Sequence, residues 1–196
     1  MNIWFTSDTH YSHKNIIKGT TSWTNKSVCR PFDTLEEHNH FLLESINNCV
    51  KENDILYHLG DWSFGGWENV FVFRKGIRCK TIHLIYGNHD QHIQSNKENS
   101  QAQFSSVHDY LELSIDKKRS ICMFHYPIDS WKSIAKGWIH LFGHQHSDRI
   151  GPGKCMDVGI DKSGHLVQPY HLDEILSIMD KQELKMGHHD SKIEVK

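Results

Sequence analysis

Apolar residues in this chain gather in short runs, and most of the runs end in a small set of polar residues. The runs Ile3-Trp4-Phe5, Ile55-Leu56-Tyr57-His58-Leu59, Ile82-His83-Leu84-Ile85-Tyr86, Ile121-Cys122-Met123-Phe124 and Trp138-Ile139-His140-Leu141-Phe142 have the length and character of buried strands. They predict strands over 2–7, 54–59, 81–86, 119–125 and 138–142, with others near 107–115 and 154–159 and a hairpin turn at Lys117-Lys118. Helical spacing predicts a helix at about 34–50, with Leu35, Phe41, Leu42, Ser45, Ile46 and Cys49 on one face. Thr34, with Glu37 three residues later, has the capping-box pattern at its start. Further helices are expected over 67–76 and 172–185, and a short one within the polar stretch 91–105. Strands and helices alternate first and strands then follow one another, which suggests an α/β fold built as a two-sheet sandwich. A chain of 196 residues reads as one domain, 1–185, followed by a polar tail, 186–196.

The polar segments after the runs are Asp8-Thr9-His10, Gly60-Asp61, Gly87-Asn88-His89-Asp90, His125 and Gly143-His144-Gln145-His146. Open α/β sheets place their chemistry at the carboxyl ends of strands, so one rim would carry Asp, Asn and several His. Carboxylate, imidazole and amide oxygen together suit divalent first-row metals, and this is the composition of a two-metal site. Each piece alone has a bland reading: Asp-x-His as a turn, and Gly-Asn-His-Asp as a tight turn whose Gly and Asn tolerate positive φ. Gly-His-Gln-His is stronger, because alternate residues of an extended segment point the same way. The ordered set carries the case.

That set resembles the calcineurin-like metallophosphoesterase superfamily, whose pattern is Asp-x-His, Gly-Asp, Gly-Asn-His-(Asp/Glu), His and Gly-His-x-His. The stretches Phe5–His10, Arg30-Pro31-Phe32 with Glu36–Asn39, His58–Ser63 and Asp157–Asp161 resemble a small, minimal subgroup of phage and bacterial type. The resemblance implies a four-layer α/β sandwich with two divalent metal ions (Mn, Fe, Zn or Ni) at the strand ends. Asp8, His10 and His146 would hold one metal, and Asn88, His125 and His144 the other. Asp61 would bridge them together with a hydroxide that attacks phosphorus. His89 would sit over the phosphate and protonate the leaving oxygen as general acid or stabilise the charge on the phosphoryl group, and Asp90 would orient His89. The implied activity is hydrolysis of a small, nucleotide-like phosphodiester or phosphomonoester. A nuclease acting on nucleic-acid ends and a non-catalytic interaction module are the alternatives.

Composition narrows this little. The net charge of −2 gives no general drive toward duplex DNA or an anionic membrane. Five cysteines without a Cys-x-x-Cys pair fit a reducing, cytoplasmic setting, and neither an export signal nor a membrane span is visible. Of the 17 His, His38, His40, His83, His92, His108, His165 and His171 read as surface or core, and His188 and His189 as part of the tail.

The substrate signals lie in loops. Residues 9–32 hold Lys14, Lys18, Lys26 and Arg30, no acidic residue, and the aromatics Tyr11, Trp23 and Phe32. This excursion is either a basic lip for a phosphate-bearing ligand or an ordinary solvated loop. His13 is a candidate to reach the phosphate. Arg30 either does the same or pairs structurally with an Asp. Trp62, in the lip Trp62–Trp67, is a candidate to stack a base, whereas Trp67 is expected to pack under the next helix. Tyr126 would shape the opposite wall.

Overall fold

The computed structural model describes residues 1–151, 153–162 and 165–185. The tail expected at 186–196, with His188 and His189, lies outside the described residues. The chain runs β1 (Ile3–Thr6), α1 (Leu35–Cys49), β2 (Ile55–His58), α2 (Trp67–Gly76), β3 (Thr81–Ile85), α3 (Gln91–Gln94), β4 (Ser106–His108), β5 (Tyr110–Ser114), β6 (Ser120–Phe124), β7 (Ile139–Phe142), β8 (Cys155–Asp157), β9 (Asp161–Lys162), β10 (His165–Leu166), β11 (Tyr170–His171) and α4 (Leu172–Met179). The capping box forms as expected: Glu37 N–H donates to Thr34 Oγ1 (3.2 Å) and Thr34 N–H to Glu37 Oε2 (3.0 Å).

Two sheets pack face to face. The first has the order β11-β1-β2-β3-β4 and is parallel except for β11; the second has the order β5-β6-β7-β8 and is parallel except for β5. Strand periodicity sorts the core. Phe5, Tyr57 and Ile85 meet Ile121, Met123, Ile139 and Leu141 between the sheets, joined by Ile175 and Met179 of α4. The intervening residues Leu56, Ile82 and Leu84 face outward onto Leu42, Ile46, Val70 and Phe73 of α1 and α2. Over the other sheet, Cys122, Phe142 and Cys155 pack against Trp131, Ile128, Ile134 and Trp138. The fourth layer is therefore the irregular segment 126–138, which contains one 3₁₀ turn at Ile134–Lys136.

Two elements differ from the sequence expectation. The strand expected at 107–115 breaks at Asp109 and changes sheets, β4 pairing with β3 and β5 with β6. The last helix stops at Met179 rather than 185, because Asp180-Lys181-Gln182-Glu183 offers no apolar face to the core.

Candidate metal centre

The carboxyl ends of β1, β2, β3, β6 and β7 converge on one rim, and they bring the expected donors together. His10 Nε2 lies 3.2 Å from His146 Nε2 and 3.5 Å from Asp61 Oδ2. Asp8 Oδ1 is 3.8 Å from His146 Nε2 and 4.0 Å from His10 Nε2. On the other side, Asn88 Oδ1 is 3.0 Å from His125 Nε2 and 2.8 Å from His144 Nδ1. Asp61 Oδ2 is also 3.6 Å from His125 Nε2. One carboxylate oxygen thus stands between two donor groups.

The backbone is bent out of its ordinary range to achieve this. Asp8 (φ 57°), His10 (49°), Asp61 (56°), His144 (70°) and His146 (47°) all occupy the left-handed region, which costs a non-glycine residue about 1–3 kcal/mol. His144 and His146 therefore converge from two left-handed positions, not along an extended segment as the motif suggested. Glycines admit the close approach. A methyl group on Gly143 would collide with Ser7 Oγ and the Asp8 carboxylate, and one on Gly87 with the Asp61 carboxylate.

The donor set fits divalent cations. His125 Nδ1 sits 2.7 Å from the Leu59 carbonyl, so it carries the proton and leaves the Nε2 lone pair facing Asp61 and Asn88. His146 Nδ1 sits 2.6 Å from Asp161 Oδ2 and is fixed in the same way. Its Nε2 then meets His10 Nε2 at 3.2 Å, a contact that suits a shared cation. Burial pushes the Asp8 carboxyl up to about 8, with Asp157 and Asp61 adding to it against His146. Burial, and then the Arg30 charge, hold His10 well below the ordinary imidazole value. Burial leaves the Asp8 carboxylate poorly compensated, and a bound cation would relieve it.

Other sequence candidates fall differently. Arg30 is a strut, not a substrate ligand. Its Nε and Nη2 bind Asp161 Oδ1 and Oδ2 at 2.9 and 2.7 Å, Nη1 binds Thr9 O (2.8 Å) and His38 Nε2 (2.8 Å), and Nη2 also binds Asp8 O (2.6 Å). All five guanidinium N–H groups are committed. Asp90 does not orient His89: its Oδ2 accepts from Asp61 N and Gly87 N (both 2.8 Å) and its Oδ1 from Trp62 N (3.0 Å), lacing the loops after β2 and β3 together. Burial pushes the Asp90 carboxyl up to about 7 against the pull of these donors. Trp62 is fully buried against Phe73, Phe104 and His58, so it stacks no substrate. Trp67, expected in the core, is 43% exposed. Tyr11 is also core, stacked on Phe73.

His13 and Tyr126 stay at the site. His13 stacks on Phe64 (3.7 Å between ring centroids), and Tyr126 lies edge-on to His144 (4.8 Å) and His125 (5.0 Å). The exposed ring of His89 lies 5.5 Å from that of His10, and the His89 backbone N–H donates to Asp61 Oδ1 (2.9 Å). Sequence reasoning missed the roles of Asp161 and His38. Asp161 stood in a stretch already notable for its likeness, but which aspartate Arg30 would take was not visible. His38 lies one turn before Leu42 on the inward face of α1, and that spacing could have marked it as buried.

The fold and the donor cluster define a phosphoesterase class. The family description "Calcineurin-like phosphoesterase superfamily domain" matches residues 1–156, and the chain belongs to that superfamily. It is similar to an uncharacterized protein of Methanocaldococcus jannaschii, 28% identical over 188 residues, covering 91% of this chain and 92% of that one. It is also similar to the Gene 66 protein of Mycobacterium phage L5, 24% identical over 217 residues, covering 93% and 97%. Among solved structures, a protein of unknown function from Aquifex aeolicus shares the fold, with a TM-score of 0.63, 24% identity, and coverage of 90% of this chain and 98% of that one. No helix among the described residues is long and apolar enough to cross a membrane.

Proposed function

We propose that this protein hydrolyses a small, nucleotide-like phosphoester, diester or monoester, with two divalent cations. The observation that carries the reading is the position of Asp61 Oδ2, 3.5 Å from His10 Nε2 and 3.6 Å from His125 Nε2. Asp8, His10 and His146 would hold one cation, and Asn88, His125 and His144 the other, with Asp61 shared. Bound there, the pair would neutralise phosphoryl oxygens and lower the pKa of water in the site.

The chain's own residues supply the rest. The His89 N–H bond to Asp61 sets the loop so that the His89 ring overhangs the cluster from the solvent side. From there it can donate a proton to a leaving oxygen, an effect of about 10²–10⁴-fold. Phe64 holds the rings of His13 and His89 on that same side. Asp161 and the Leu59 carbonyl keep His146 and His125 with their Nε2 lone pairs facing inward. Asp90 keeps the turn after β2 against the turn after β3.

The test is hydrolysis of bis(p-nitrophenyl) phosphate and p-nitrophenyl phosphate by the full chain after chelation and after adding Mn²⁺. The proposal expects turnover that needs the metal. Absence of turnover on both esters with the metal bound would reject it and revive the interaction-module reading.

A further inference from the structure

A cavity of about 610 Å³ opens from His10, His89 and His146 toward the loop of residues 16–31. That volume is within the range of about 300–1,000 Å³ for small-molecule sites and far larger than a phosphoryl group needs. Its far walls are Ile16, Trp23, Val28, Pro31 and Leu166. An unbroken row of rings leads there from the candidate acid. Centroids of His89 and Phe64 are 4.9 Å apart, those of Phe64 and His13 3.7 Å, and those of His13 and Trp23 6.3 Å.

The polar side chains of these walls are turned to other work. Arg30 has no N–H to spare. Lys162 Nζ donates to Asp157 O (2.7 Å) and Ser147 O (3.0 Å), and Ser27 Oγ donates to Asn25 Oδ1 (2.7 Å). Among the described lining residues beyond the histidines, the side chains keep little for the hydrogen-bonding edge of a base: the third N–H of Lys162 and the lone pairs of Ser27 Oγ. Trp23, 43% exposed at the rim, offers a ring face instead.

We infer that the cleft is a subsite for a flat aromatic group carried by the phosphoester, held on Trp23 by stacking and without discrimination between bases. The inference rests on the phosphoesterase reading and adds where the organic part lies and how it is selected. Stacking platforms bind any base because every base has a π-face. The same cleft would admit an aryl ester that is not a nucleotide.

The experiment is calorimetric binding of AMP, CMP, GMP, UMP and inorganic phosphate to the Mn²⁺-loaded full chain, native and Trp23→Ala. The four nucleotides should bind within about threefold of one another and roughly tenfold or more tighter than phosphate. Trp23→Ala should lose about five- to hundredfold in nucleotide affinity, the range for one stacked base, and keep its affinity for phosphate. Val28→Asp, on an exposed wall position, should weaken the nucleotides in the same direction. Phosphate bound as tightly as the nucleotides, one base preferred more than about tenfold, or unchanged nucleotide binding by Trp23→Ala would each overturn the subsite. Failure of the parent reading looks different: neither phosphate binding nor hydrolysis of the aryl esters would be seen.

Discussion

Arg30 and Asp161, far apart in the chain, form a two-pronged ion pair at 2.9 and 2.7 Å, and the same Asp161 carboxylate receives His146 Nδ1 at 2.6 Å. The pair joins both sides of one donor group, since Arg30 also grips the carbonyls of Asp8 and Thr9. Although burial raises it, the Arg30 charge and the His146 bond hold the Asp161 carboxyl well below its usual range. Asp161→Ala should weaken Mn²⁺ binding by about 10–100-fold, as loss of a carboxylate behind a metal-binding histidine does, measured by calorimetric titration. Arg30→Met should destabilise the fold by about 3–5 kcal/mol in urea unfolding, because it takes the buried guanidinium away from the half-buried Asp161 carboxylate and from the Asp8 and Thr9 carbonyls.

His89→Ala separates holding metal from using it. The ring is exposed and makes no hydrogen bond to a donor of the cluster among the described residues; only its backbone N–H touches Asp61. The variant should bind Mn²⁺ as the native chain does and lose about 10²–10⁴-fold in kcat on an ester with a poor leaving group. The loss should shrink on p-nitrophenyl esters, whose leaving oxygen needs little protonation. Equal rates for variant and native chain on the poor leaving group would remove His89 from the chemistry.

Two tryptophans five residues apart should respond oppositely. Trp62→Ala empties a fully buried site against Phe73 and Phe104 and should cost about 3–5 kcal/mol in urea unfolding. Trp67→Ala removes a side chain that is 43% exposed at the start of α2 and should stay within about 0.5 kcal/mol.

Acid should unfold the protein partly through His140. Its ring is fully buried between Trp131 and Phe142, Nδ1 donates to the Cys122 carbonyl (3.2 Å), and burial pushes its pKa down to about 4. The unfolded chain binds this proton near pH 6.5 and the native chain only near 4. Stability from this group is therefore complete above pH 6.5 and is lost as the pH falls toward 4. The loss is on the order of 3 kcal/mol. His140→Leu should flatten the unfolding free energy across that window in urea titrations at stepped pH; an unchanged slope would contradict the assignment.

Which strands bear the donors was legible in the sequence, because a buried strand must be apolar and its carboxyl end is where polar residues can begin. Asp8, His10, Asp61, Asn88, His125, His144 and His146 could thus be placed on one rim before any coordinates. What was not legible is the direction a side chain takes after the strand ends. Asp61 turns through φ 56°, and the chain then sends Trp62 into the core rather than out to the lip. A left-handed Asp carries no mark in the sequence. Arg30 and Asp161 meet only because the excursion is pinned back, Arg30 N–H to Ile16 O (2.7 Å) and Lys18 N–H to Arg30 O (2.9 Å), and no local pattern records that closure. Likewise nothing in residues 106–114 announces that the chain changes sheets at Asp109, since both halves have strand character.

If Asp61 is shared between two cations, as proposed, the number of bound Mn²⁺ ions will show it. Equilibrium dialysis with elemental analysis should find two Mn²⁺ per native chain, and Asp61→Ala, if still folded by circular dichroism, should lose binding at both positions. A native chain that saturates at one ion, or a folded Asp61→Ala chain that still holds two, would contradict the account.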